Sequence, residues 1–233
     1  VRGIEPGDVL AIHIKDIQPE GHASGGWWDD PKVNSFLEIA EGRVRFPGGL
    51  SVPLHVMIGD IYVTPPAWPP GQPWDNGGNM DFVDIAAGNT LLLRAELPGG
   101  LLVLGDCHAA QGDGEMLGLG AECAAEVTLR VTRDERYPIE RPTIIKRRTN
   151  DEPYAFVCIA CRPDYAEARD LAVQDASRLL ARLTGCTEKE AYLYVTTVGD
   201  LRNGGVWSMG KTEPAWVRTL PLVVGVEVPV WEA

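Results

Sequence analysis

The sequence lacks any apolar run of the roughly 18–20 residues that cross a bilayer. Its longest, Leu220–Val230, is broken by Pro221, Gly225, Glu227 and Pro229. It lacks a leader-like start as well, since Val1-Arg2-Gly3-Ile4-Glu5-Pro6-Gly7-Asp8 has neither a basic stretch nor an apolar one. Positive charge is scarce: 21 Lys and Arg face 33 Asp and Glu, for a formal charge of −12. A chain this acidic repels phosphate backbones and anionic lipid, so nucleic acid and membrane surfaces are poor partners. Cysteine is sparse, and its five copies, Cys107, Cys123, Cys158, Cys161 and Cys186, are odd in number and scattered. That favours reduced thiols in a cytoplasmic protein over a disulfide framework. Cys158-x-x-Cys161 has no second pair to complete a zinc site, and its apolar setting predicts buried core thiols.

Glycine and proline, by contrast, are plentiful, with 26 and 18 copies, and 45% hydrophobic residues suffice for a globular core. Before Pro142, β-sized apolar runs alternate with Gly/Pro/Asn/Asp punctuation: Val9–Ile14, Ser51–Ile58, Asp60–Val63, Thr90–Ala95, Leu101–Leu104 and Ala125–Val131. Pro98-Gly99-Gly100 between two of them reads as a hairpin turn. The Pro- and Trp-rich loop Thr64–Asn79 is long enough to be functional or a covering flap. After Pro142 the texture changes. Asp164–Leu183 is an amphipathic helix with Asp164 as N-cap and Gly185 as its close. Thr187–Glu190 fits a capping box for a short second helix, leading into a strand-like Tyr192–Val198. The expected fold is α+β and mainly β: a sandwich or barrel body over 1–142 with long Gly/Pro-rich loops, and a packed 143–233 region carrying the helix 164–184.

Leu104-Gly-Asp-Cys-His-Ala-Ala-Gln-Gly-Asp-Gly-Glu115 concentrates the reactive side chains. In an extended backbone Asp106 and His108 share one face, as do Asp113 and Glu115, while Cys107 points the other way. Gly112 and Gly114 permit positive φ and close approach to a ligand. Carboxylates and an imidazole on one side suit a divalent cation, which polarises a carbonyl and lowers the pKa of its water to about 7. The expected ligands are Asp106 and His108, helped by Asp81 or Glu115, with Glu115 carrying the proton. Zinc accepts that mix most readily, and calcium suits a set in which oxygens dominate. The same stretch also reads as a polar turn with His108 bonded locally. No Gly-x-Ser-x-Gly motif offers a covalent route. His13 and His55 read as structural, His22 as exposed, and Lys146-Arg147-Arg148 as a solvated turn. Trp27, Trp28, Trp68 and Trp74 pack the long loops or wall a small pocket.

Gly105-Asp-Cys-His-Ala-Ala-Gln-Gly-Asp-Gly-Glu115 resembles the signature of the acetamidase/formamidase family, G-D-x-H-A-x-Q-G-D-G-E. Glu5-Pro-Gly-Asp-Val-Leu10, Gly77-Gly-Asn-Met-Asp81, Glu122, Glu190-Ala-Tyr-Leu193 and Asp200-Leu-Arg202 resemble further family segments in the same order. The resemblance implies a β-rich cytoplasmic enzyme, usually oligomeric, that hydrolyses formamide, acetamide or a related small amide. It further implies catalytic roles for Glu115, Asp113 and Gln111, metal ligands at Asp106, His108 and Asp81, and substrate contacts at Asn79, Gly78 and Trp74. Family members carry a further N-terminal segment and a His before G-G-N-[LM]-D, where this chain has Trp74-Asp75-Asn76. The expectation is that a second polypeptide, either a separate small subunit or an upstream piece of the same gene product, completes both the sheet beside Glu5–Asp8 and the active site. The alternative is a non-catalytic member serving as a metal-stabilised subunit of a hetero-complex.

Overall fold

Alternation of side chains along Val9–Pro19 sends Leu10, Ile12 and Ile14 to one face and Val9, Ala11 and His13 to the other, and the fold is built on both faces of this strand. The structure, a computed structural model, describes residues 1–26, 34–67, 71–116, 118–147, 153–206 and 220–230. Trp27, Trp28, Trp68 and Arg148 lie outside the described residues. In chain order the strands are β1 (Val9–Pro19), β2 (His22–Gly25), β3 (Ser35–Ala40), β4 (Arg43–Arg45), β5 (Ser51–Pro53), β6 (Met57–Val63), β7 (Gly77–Asn79) and β8 (Thr90–Arg94). There follow β9 (Leu102–His108), β10 (Glu122–Cys123), β11 (Ala125–Asp134), β12 (Thr143–Arg147) and β13 (Pro153–Arg162). Two helices, α1 (Tyr165–Thr184) and α2 (Glu188–Val198), precede β14 (Asp200–Asn203) and β15 (Leu222–Pro229).

The strands form two antiparallel sheets. The first runs β11-β1-β8-β12-β13-β15-β14 and the second β5-β4-β3-β2-β10-β9-β6-β7. Leu10, Ile12, Ile14, Leu91 and Val157 of the first sheet meet Ile58 and Ile61 of the second, with Phe82 from the intervening chain, in one buried core. On the outer face of the first sheet, Phe156, Cys158, Ala160 and Val226 pack against Ala172, Ala176 and Leu180 of α1 and Ala191 and Val195 of α2. Small alanines four residues apart let α1 lie close to the strands. The mainly β, α+β expectation holds, with two helices on one side of two facing sheets.

The helix ends match their sequence signals. Asp164 Oδ1 accepts from the Glu167 backbone N–H at 2.8 Å, and Gly185 closes α1 at φ 76°. Thr187 and Glu190 form the reciprocal capping box of α2. Cys158 and Cys161 are buried free thiols, as expected.

Four expectations are corrected. Tyr192–Val198 is the body of α2, because the capping box and burial of Ala191 and Val195 override the β preference of Tyr, Val and Thr. Pro98-Gly99-Gly100 does not make a hairpin: β8 belongs to the first sheet and β9 to the second, so the turn carries the chain across the sandwich. Lys146 and Arg147 lie in β12, with Lys146 held by Asp84 at 3.1 Å and Glu227 at 2.9 Å. The place beside β1 is filled by this chain's own β8 and β11. Because β12 pairs with β8, residues on both sides of position 142 share one sheet. Among the described residues, no helix is long and apolar enough to cross a membrane.

Candidate functional site

His108 ends β9 and faces Glu122 of β10 across one side of the ladder and Met57 of β6 across the other. Its side chain is fully buried, and carboxylates surround the ring. From Nε2, Glu122 Oε2 lies at 3.1 Å, Asp106 Oδ1 at 3.4 Å and Asp81 Oδ1 at 3.9 Å. Glu115 Oε1 stands on the other side, 3.8 Å from Nδ1. Gln111 Oε1 accepts from Nδ1, while Gln111 Nε2 donates to the Asp81 carbonyl at 2.6 Å. That second bond fixes which end of the amide faces the imidazole. Nδ1 therefore carries a proton, and in the neutral ring the Nε2 lone pair faces the carboxylates. Asn79 Nδ2 donates to Asp81 Oδ2 at 2.6 Å, leaving Asp81 Oδ1 with no hydrogen-bond partner, like His108 Nε2.

The backbone is bent to bring these groups together. Asp81, Asp106 and Glu115 sit at φ 47°, 56° and 39°, in the left-handed region that non-glycine residues rarely enter. Two glycines clear the space. A Cβ at Gly59 would lie 2.5 Å from Asp81 Oδ1, and one at Gly120 would lie 2.5 Å from His108 Nδ1.

Burial works against a charged imidazole, yet the contacts with Asp106 and Glu122 and the field of the other carboxylates push His108 up to about 12. Burial, then Glu115, raises Asp81 well above the usual carboxylate range. Burial also acts to raise Asp106, but the close approach of the His108 imidazole prevails and holds it low. Asp60, on β6, is pushed up to about 7 by burial and then by Asp106. The cage thus gathers more negative charge than one imidazolium can balance. Two donor sets within it could hold a metal ion, Asp81–His108–Glu115 and Asp106–His108–Glu122, sharing the imidazole. The unpartnered Oδ1 and Nε2 atoms, 3.9 Å apart, fit an ion bonded at about 2.0–2.2 Å to each. The second set opens onto a cleft of about 390 Å³ bordered by His22, Ser24, Phe36 and Cys123.

Several sequence expectations resolve here. Asp106, His108, Asp81, Glu115 and Gln111 converge, and Asn79 adjoins them through Asp81. Asp113 does not share the face of Glu115: with Gly114 at φ 92° the chain turns, and Asp113 is clamped to Arg202 at 2.7 and 3.2 Å. Gly78, at φ 125°, lies so close to the Gln72 carbonyl that any Cβ would clash at 2.4 Å, and its first role is that packing. Trp74 lies under the Arg162 guanidinium at 4.3 Å. Cys107 turns into the core, as its alternation predicts. His13 bonds Thr90 and Thr132, His55 bonds the Val83 carbonyl, and His22 is exposed beside the cleft. Sequence reasoning gave Asp60 no role and Glu122 none beyond its place in the family pattern. Glu122 becomes visible as a neighbour of His108 only when β10 is paired with β9, and nothing in the local sequence announces that pairing.

Fold and site together define a two-sheet β protein with a strained, buried carboxylate–imidazole cage suited to a cation. The family model of the acetamidase/formamidase family matches residues 69–222, and the chain belongs to that family. It is similar to the crystal structure of an acetamidase from Bacillus halodurans, with a TM-score of 0.80 and 30% identity over 97% of this chain and 75% of that one. A predicted acetamidase/formamidase from Thermoanaerobacter tengcongensis matches with a TM-score of 0.81 and 26% identity, over 97% and 73%. A Schizosaccharomyces pombe protein with a provisional formamidase name is 42% identical over 56% of this chain. The chain spans about half the length, 49%, of that curated relative.

Proposed function

We propose that this protein hydrolyses a small amide, of the formamide or acetamide kind, to carboxylate and ammonia at the His108 cage. The observation that carries the reading is the Gln111 bridge, which accepts from Nδ1–H, fixing the proton there, and leaves Nε2 facing Asp81, Asp106 and Glu122. His108, Asp106 and Glu122, backed by Asp81, would hold a divalent cation on the side of the cage that meets the cleft. When bound, such an ion supplies Lewis acidity for an amide carbonyl and lowers the pKa of water. Zinc suits the imidazole, and calcium would suit the oxygen-rich remainder.

The remaining work falls to the chain itself. Asp81 and Asp106 are fixed before substrate arrives, so their fields need no reorganisation during the reaction. Glu115, buried against the imidazole, carries the proton to the leaving nitrogen. Gln111 is a positioning residue that acts through His108. Asn79 orients Asp81 and stands on the strand whose Gly78 keeps that corner narrow. The 390 Å³ cleft has room for a small amide beside Asp106 and Glu122. Five free thiols support a reducing, cytoplasmic setting. Exposed apolar side chains at Phe36, Leu50 and Val52, on or beside β3 and β5, support self-association or a second polypeptide at that edge.

The test joins metal analysis to an ammonia-release assay over an amide panel, before and after chelation. The expected outcome is one tightly held divalent ion, activity on short linear amides, and loss of activity on chelation with recovery on metal return. Full turnover by a metal-free sample would refute the metal reading, and an inert, metal-loaded sample would refute the amidase reading.

A further inference from the structure

The outer face of the first sheet is not fully covered. Helix α1 packs over β13 and β15, and Tyr137 and Ile139 cover Val9 and Ala11. The next position in the same alternation along β1 is His13, which stands at the floor of an open cleft of about 750 Å³. Directly across from it lie Arg130 on β11 and Thr90 on β8. Lys15, the extra residue of a bulge in β1, and Arg147 of β12 complete the rim. Five of the chain's 21 Lys and Arg, namely Lys15, Arg130, Arg133, Arg136 and Arg147, border this one cleft of a protein with net charge −12.

Their neighbours decide which of those charges face outward. Arg136 is consumed by Asp134, through bonds of 2.6 and 3.1 Å, and Asp134 Oδ1 is itself occupied by the backbone N–H groups of Arg136 and Tyr137. Arg133 reaches Asp8 at 3.2 Å and Glu135 at 3.6 Å. No carboxylate pairs with Lys15 or Arg130 among the described residues. The floor is polar and donor-bearing: His13 Nδ1 lies 2.9 Å from Thr90 Oγ1, His13 Nε2 lies 3.3 Å from Thr132 Oγ1, and Arg147 Nε donates to Thr90 at 3.2 Å. Burial, then the charges of Arg147, Lys15, Arg130 and Arg136, depresses His13, which keeps the imidazole neutral as a spacer between the two hydroxyls. Holding like charges around an uncovered floor is unfavourable unless an anion is expected there. A bulge that re-aims a lysine into the cleft points the same way.

We propose that this cleft is a second binding site, for a small oxyanion of the phosphate type carrying at least two negative charges. The site is separate from the cage, since the cage belongs to the second sheet and the Ile14–Leu91 core layer lies between. The anion would sit between Lys15 and Arg130, with the Thr hydroxyls turning to donate.

Calorimetric titration of the intact protein with inorganic phosphate and with pyrophosphate, in 50 mM NaCl, tests this. The expected result is saturable one-to-one binding that weakens steeply at 200 mM NaCl. In the double variant Lys15→Ala/Arg130→Ala, binding falls at least 10-fold while the melting temperature and amide turnover stay unchanged. Arg130→Lys, which keeps the charge, retains most of the affinity. Saturable binding that the double variant leaves intact overturns the proposal, because the anion is then held elsewhere, the cage metal included. Absence of binding also overturns it. So does a change of oligomeric state in the double variant without anion binding, which would assign the cleft to the acidic surface of a second copy.

Discussion

Replacing Gly59 with alanine separates cage geometry from fold. Gly59 has no positive φ, so alanine meets no strain in its own φ there. Its Cβ, however, would lie 2.5 Å from Asp81 Oδ1, 2.8 Å from the Asp106 carbonyl and 2.9 Å from Asp106 Oδ2. Asp81 cannot yield easily. It is fully buried, its backbone N–H donates to the Gly59 carbonyl at 3.1 Å, and Asn79 holds its other oxygen. Relief requires moving a carboxylate by several tenths of an ångström, more than the ±0.2 Å or so that metal–ligand distances tolerate. Overpacking of this kind costs about 1–3 kcal/mol, a loss of roughly 2–12 °C in melting temperature for a chain of this size. Disturbing ligand geometry lowers metal affinity about 10–100-fold. The Gly59→Ala protein should therefore fold, melt a few degrees early, and lose most of its metal and turnover on dialysis. Gly105→Ala, on neighbouring β9 with nothing within 4 Å of the added carbon, is the matched control and should behave as wild type. Wild-type metal content and turnover in Gly59→Ala would refute the claim that this packing sets the site.

Three further outcomes follow from the same cage. Glu115→Gln should keep fold and metal while turnover falls about 10²-fold; near-normal turnover removes Glu115 from the chemistry. Gln111→Leu should weaken metal binding about 10–100-fold, with turnover recovering in excess metal; failure to recover would give Gln111 a direct catalytic role. In metal-free protein, His108 is raised from its ordinary 6.5 to about 12, so its contribution to stability is fully present below pH 6.5 and drains away as pH climbs toward 12. The raised Asp81 works in the same direction, since its burial disfavours the charged form that higher pH demands. Urea unfolding of chelated protein should give a stability that falls from pH 7 to pH 10, and a flat profile would contradict the assignment.

What the sequence made legible was whatever short-range rules govern. The caps of α1 and α2 are set by residues three positions apart, and each is where Asp164, Thr187 and Glu190 indicated. Asp106 and His108 were readable as partners because two residues along a strand return to one face, and they meet at 3.4 Å even with Asp106 bent into the left-handed region. Non-local facts were hidden. Pro98-Gly99-Gly100 announces a reversal but not which sheet receives the chain. Glu122 reaches His108 through strand pairing, and Lys146 reads as a solvated charge until Asp84 and Glu227 arrive from distant segments. Asp113 was misplaced for the opposite reason: extended alternation was assumed where glycines had already turned the chain.

The left-handed backbone at Asp81, Asp106 and Glu115 has an evolutionary consequence. At each position glycine would relieve the conformation, worth about 1–3 kcal/mol where a side chain is forced into such a region, and would also remove a mutually repelling carboxylate. A population of variants screened only for yield or heat resistance should drift toward glycine at 81, 106 and 115. A population screened for ammonia release should hold the acids and gather its compensating changes elsewhere, in the core shared by the two sheets. The cage is therefore a standing debit against foldedness, retained only for as long as chemistry is under selection.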